Sequence, residues 1–102
     1  DFMKTVRAWR RQVDAQSYAD AAWVLATGVK ELTQLTTPVN VPTIVITSEN
    51  DSGSTPDMAV TIAGEIGQAE ICIVPELKHL GLMERPQSFT VPVIEFFRKI
   101  PL

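Results

Sequence analysis

Apolar positions along the chain change their period twice, and the changes mark out its elements. Phe2, Val6, Trp9 and Val13 recur at i, i+4, i+7 and i+11, the stripe of an amphipathic helix, while Lys4, Arg7, Arg10 and Arg11 occupy much of the remaining surface. Asp14 or Ser17 suits the N-cap of a second helix that carries Tyr18, Ala22, Trp23, Leu25 and Ala26 and that Gly28 is expected to end. A short third segment, Val29 to Leu35, leads into Thr36-Thr37-Pro38. Trp9, Tyr18 and Trp23 can line a pocket, but aromatic residues at helical spacing usually belong to a core. At least two of the three are therefore expected to be buried.

Helical spacing then gives way to Val41-Pro42-Thr43-Ile44-Val45-Ile46-Thr47, a run that is apolar on both faces and so suits a strand buried on both sides. Pro42 is tolerable at its first residue, where no ladder donor is needed. Turn formers follow from Ser48 to Gly53, and a second apolar run, Ile71-Cys72-Ile73-Val74, ends in turn residues before reaching His79. Between the runs, Asp57 to Ile66 places Met58, Ile62 and Ile66 four apart on one helical face; Thr55 suits the cap, Pro56 the first position and Gly67 the place just past the end. Strand, helix, strand predicts a right-handed crossover between parallel neighbours. Asp51 and His79 then lie just beyond the carboxyl ends of adjacent strands, the edge where open α/β sheets place their chemistry. Glu76 to Gly81 reads as a loop. A last helix starts at Arg85-Pro86 with Phe89, Val93, Phe96, Phe97 and Ile100 as its buried stripe, and Pro92 predicts a kink or break near Ser88 to Val91.

Composition narrows the function classes. A chain of 102 residues has the length of one ordinary domain, and 45% hydrophobic against 21% charged residues argues for a folded one. A formal net charge of −3 gives no reason to expect nucleic acid, so the basic side of the first helix reads as a solvated face rather than a phosphate- or membrane-binding one. One cysteine and one histidine exclude an internal disulfide framework and leave no zinc site, and no cofactor is expected. No stretch is long and apolar enough to cross a membrane and no signal-peptide pattern opens the chain, which makes a cytoplasmic enzyme the expectation.

His79, the single histidine, has a bland reading as a surface or capping residue. Its position beside Asp51 favours another: a base whose far nitrogen is oriented by a carboxylate, which fixes the tautomer and stabilises the imidazolium. Asp51 has rivals in Asp57, better suited to complement the dipole in a first helical turn, and in Glu49, two residues away. A calcium loop is excluded here by the missing alternation of ligands and terminal glutamate. Ser48, Ser52 and Ser54 lie near Asp51, but none has the G-x-S-x-G spacing of a nucleophile elbow. Cys72, in mid-strand, reads as a small buried hydrophobe.

The stretch from Val41 to Asp51, then Gly53-Ser54-Thr55-Pro56, Lys78-His79-Leu80, Glu84-Arg85-Pro86 and Phe89, resembles the C-terminal portion of α/β-hydrolases, closest to their lactonase, esterase and haloperoxidase-like branch. The resemblance spans about Val39 to Phe97; Asp14 to Ala19 is loosely similar to the start of a lactonase-like cap. It implies an α/β fold, with residues 1–37 a helical cap-like segment and 38–102 the C-terminal part of the hydrolase core. It implies Asp51 as the triad acid and His79 as the base, acting on a small ester or lactone. The family's order is serine, acid, histidine. The chain is thus expected to be a fragment, inactive alone, whose exposed strand edge is covered by a nucleophile-bearing segment or by a second copy of itself. Two departures stand out: Ser48 where the family usually has glycine, and Gly81-Leu82 where many relatives carry Pro-Asn. The rival expectation is a small non-catalytic interaction module that keeps a hydrolase-like tail. The distance between Asp51 and His79 discriminates between the two.

Overall fold

The computed structural model describes residues 1–32 and 35–101. They divide into two compact units, Asp1–Thr36 and Thr37–Leu102.

In the first unit, helix α1 (Phe2–Gln12) begins where the Asp1 side chain accepts a hydrogen bond from the Met3 N–H at 3.1 Å, and it ends with Arg10 and Arg11 against the negative end of its dipole. Helix α2 (Ala15–Leu32) is capped by Asp14 rather than Ser17: the Asp14 carboxylate accepts from both the Ser17 N–H (2.8 Å) and its hydroxyl (3.1 Å). Gly28 does not end this helix, which runs on through Val29 to Leu32 and absorbs most of the expected third segment. Residues 33–34 lie outside the described residues. A glycine inside a helix costs only about 0.5–1 kcal/mol relative to alanine, and the flanking residues keep the ladder going. Trp9, Tyr18 and Trp23 are 50%, 62% and 70% exposed, against the expectation that at least two form core. A helical stripe is buried only where a second layer covers it, and α1 has no buried residue.

The second unit is mixed helix and strand around a small parallel sheet. Strand β1 (Thr43–Ser48) pairs in parallel with β2 (Ala69–Val74), in a register from Thr43 opposite Ala69 to Ser48 opposite Val74. Pro42 thus stands just outside the ladder. Helix α3 (Pro56–Ile66) connects them, capped by the Thr55 hydroxyl, which accepts from the Met58 N–H at 3.3 Å. It is stopped by Gly67, whose φ of 81° suits a residue without Cβ. The face that α3 buries carries Ala59 and Ala63, whereas Met58 and Ile62 of the expected stripe are exposed. Two strands make a narrow sheet for α3 to pack on, and the small alanines are the residues the helix buries. Nor are both faces of the strand pair covered: Ile44 to Ile46 are half-buried, and Ile71 and Ile73 are exposed.

After β2 the chain forms a short helix α4 (Gly81–Glu84), which starts at the last residue of the expected loop, and then α5 (Pro86–Lys99). Pro92 does not break α5, which is continuous from end to end although Pro92 has no N–H to offer the Ser88 carbonyl. Two residues earlier, the Thr90 hydroxyl donates to the Pro86 carbonyl at 2.9 Å. Phe96 is the buried anchor of α5, while Phe89, Val93 and Ile100 are half-buried. Phe97 is exposed and departs from the expected stripe, because it points about 100° around the helix from Phe96. The core of the unit is small: Ala59, Ala63, Val74, Leu77 and Phe96.

Gly81 meets Ser48 in this core, so the two departures from the hydrolase pattern are neighbours. A Cβ on Gly81 would stand 2.6 Å from Ser48 Oγ and 2.8 Å from Leu77 Cβ, closer than carbon atoms approach either. Gly81→Ala is therefore expected to destabilise the chain by about 1–3 kcal/mol, the usual range for overpacking. Urea unfolding measures this, and an unchanged midpoint would show that the contact yields freely. Ser48→Gly should recover only part of the loss, since Leu77 still blocks the site.

Candidate active site

The carboxyl ends of β1 and β2 are laced together before either candidate side chain is placed. The Glu49 N–H donates to the Val74 carbonyl at 2.8 Å, and the Asn50 N–H donates to the Leu77 carbonyl at 2.9 Å. Leu77, buried at 2% exposure, pins the loop that leads to His79. The Asp51 N–H turns back onto the Ser48 carbonyl at 3.2 Å, which closes the turn after β1. Further on, the Thr47 hydroxyl donates to the Ser54 carbonyl at 2.6 Å and ties the far end of that turn to the strand.

Asp51 is 7% exposed and fully engaged. Its Oδ1 accepts from the N–H groups of Gly53 and Ser54, each at 2.8 Å, in the local pattern that aspartate favours in turns. Its carboxylate also meets His79 Nδ1, at 2.9 Å from Oδ2 and 3.1 Å from Oδ1. The Ser54 N–H does most to hold the Asp51 carboxyl below its ordinary value, and the bonds from His79 and from the Gly53 N–H act the same way, against a partial opposition from burial. An ionised carboxylate only accepts hydrogen bonds, so Nδ1 carries the proton in this contact. In the neutral ring Nε2 is then left with its lone pair, and no described residue hydrogen-bonds to it. The His79 side chain is 67% exposed, so that nitrogen is open to a reacting group. A carboxylate fixed by backbone donors, holding an imidazole with its outer nitrogen free, is an arrangement that can accept a proton at Nε2.

The depressed Asp51 value has a consequence for stability. A carboxyl whose pKa is lower in the folded chain stabilises the fold above its ordinary value, 3.8, and that contribution is lost as pH falls through the lower folded value. Asp51→Asn should therefore be less stable than the parent at neutral pH, with the gap narrowing below 3.8. Chemical denaturation across that range checks it, and a gap as wide in acid as at neutrality would contradict the assignment.

The rival acids stand elsewhere. Asp57 lies in the first turn of α3, and Glu49 accepts from the Glu76 N–H at 2.8 Å rather than from His79. Ser48 is buried, and Ser52 and Ser54 are exposed in the turn that holds Asp51. Cys72 is half-buried on β2, where burial pushes its thiol up, away from reactive thiolate character. Among the described residues no three His, Cys, Asp or Glu side chains gather as metal ligands, and no helix is long and apolar enough to cross a membrane. An open depression around Asn40, Pro42, Ile66 and Gln68 lies at the opposite ends of the strands from Asp51 and His79, and has no ionisable group in its lining.

Sequence reasoning missed the backbone of Glu76, which adopts a left-handed φ of 65° just after β2, and with it the work of Glu49. No local signal marks either, since glutamate is not a residue that turns of this kind favour. Comparison with family models, with curated proteins and with solved structures finds no match for this chain. Its geometry and chemistry therefore carry the functional argument.

Proposed function

We propose that this chain is the acid- and base-bearing part of a serine-type α/β-hydrolase acting on an ester or lactone. On this reading β1, α3, β2 and α5 form the C-terminal part of the hydrolase core, and residues 1–37 a cap-like segment. The observation that carries it is the 2.9 Å contact between Asp51 Oδ2 and His79 Nδ1, formed across 28 residues at the carboxyl ends of parallel strands.

The chemistry follows from the free Nε2. A serine hydroxyl supplied by another segment donates to Nε2, and as its oxygen attacks the substrate carbonyl the proton passes to the imidazole. The resulting imidazolium is stabilised by the Asp51 carboxylate, which stays ionised. When the tetrahedral adduct collapses, Nε2–H delivers that proton to the leaving alkoxide, and an acyl-serine remains. Water then attacks the acyl group, with Nε2 accepting its proton and returning it to the serine oxygen. The exposure of the His79 ring suits this scheme, because the serine must reach Nε2 from outside these residues.

Trapping tests the reading. An activated phosphonate should label one serine of the complete protein, outside the residues described here, and His79→Ala should abolish the labelling. Undiminished labelling in that variant would remove His79 from the reaction, and a parent protein in which no serine is labelled would favour a binding module instead.

A further inference from the structure

Among the described residues, Glu49 differs from the other surface carboxylates in reaching across the sheet edge to a backbone donor. Its Oε2 accepts from the Glu76 N–H at 2.8 Å, a contact spanning 27 residues, while its own N–H donates to the Val74 carbonyl at 2.8 Å. One residue thus supplies two of the three hydrogen bonds that bind the turn before Asp51 to the loop before His79, the third being Asn50 to Leu77. The site of its grip is Glu76, a non-glycine residue with a positive φ of 65°. A side chain with Cβ occupies that conformation at a cost, so something must hold it there. The Glu76 side chain is held as well, by the Arg85 guanidinium at 3.2 Å, but both partners are exposed and such pairs contribute little. Only Leu77 and Lys78 separate Glu76 from His79, and the Lys78 carbonyl is itself fixed by the Gly81 N–H at 2.8 Å.

We infer that Glu49 is a positioning residue for His79: by clamping the left-handed turn at Glu76, it sets the direction in which the loop presents the imidazole to Asp51. This rests on the hydrolase reading for its kinetic effect, but the clamp itself is a property of the chain. Without the acceptor, Glu76 can relax toward negative φ, and the loop then carries His79 away from the carboxylate. Glycine at position 76 needs no clamp, because it holds a positive φ without strain.

The test uses Glu49→Ala, Glu49→Gln and the double variant Glu49→Ala, Glu76→Gly, made in the complete hydrolase and in this chain. Glu49→Ala should lower kcat roughly tenfold at unchanged KM, the factor that matches the cost of a left-handed residue. Glu49→Gln keeps an acceptor oxygen and should stay near the parent, and Glu76→Gly should restore Glu49→Ala. In the chain, the His79 Nδ1–H proton signal should weaken in Glu49→Ala and return with the glycine. Failure of the glycine to rescue, or an equal loss in Glu49→Gln, would overturn the clamp and assign Glu49 a purely electrostatic part. Should the complete protein hydrolyse no ester at all, the hydrolase reading fails, and the proton signal by itself decides the clamp: weakening and rescue support it, an unmoved signal overturns it.

Discussion

On the proposed hydrolase reading, His79→Ala is expected to lower ester hydrolysis by the complete protein by about 10⁴-fold, the upper range for loss of a general base. Alanine offers no group to take the serine proton, so attack must proceed from a neutral hydroxyl. Asp51→Asn should lose somewhat less, about 10³-fold, for a different reason. The amide cannot stabilise an imidazolium, and its NH2 group can donate to Nδ1, which favours the tautomer whose Nε2 already carries hydrogen. Each variant disables the same proton transfer. The double variant should consequently be no worse than His79→Ala alone. A double loss equal to the product of the two single losses would show that the residues act separately, and the shared assignment would be wrong.

The second large effect concerns the chain by itself. On the same reading it should hydrolyse no activated ester above background, because an acid and a base without an elbow serine have nothing to activate. It should also associate at micromolar concentration. Among the described residues the sheet has two parallel strands, and parallel sheets normally have more strands and both faces covered. Ile71, Ile73, Met58, Ile62 and Phe97 are exposed around it, and Thr43 to Thr47 carries no charge to discourage pairing along its open edge. Sedimentation should therefore show species heavier than 11.3 kDa, formed with a second copy or with the nucleophile-bearing segment when that is supplied. A well-folded monomer would overturn the association, and turnover that depends on Ser52 or Ser54 would overturn the missing-nucleophile claim.

Where the sequence was legible, a short-range rule applied. Thr55, Pro56 and Gly67 delimit α3 because cap, first turn and stop each demand a residue type, and β1 and β2 were visible as runs of β-branched residues between turn formers. The juxtaposition of Asp51 and His79 followed from topology: parallel strands end on one edge, so the residues just past their ends meet there. What was misread depends on a neighbouring layer. Trp9, Tyr18 and Trp23, Met58 and Ile62, and Phe97 all lie at helical spacing that reads as core, yet burial needs a surface opposite, and periodicity cannot say whether one is present. Gly28 and Pro92 were misread for another reason: each weakens a helix by a finite amount, and the rest of α2 or α5 outweighs it. The Glu49 clamp was hidden because it joins a side chain to a backbone N–H 27 residues away.

The central claim is that Asp51 holds His79 with Nδ1 protonated and Nε2 free to accept a proton. Nitrogen-15 NMR of the His79 ring, in the parent chain and in Asp51→Asn, measures this directly. The neutral ring of the parent should show a protonated Nδ1 and an unprotonated Nε2, and the preference should vanish or reverse in Asp51→Asn. A ring protonated at Nε2 in the parent, or a pattern indifferent to the loss of the carboxylate, would contradict the account.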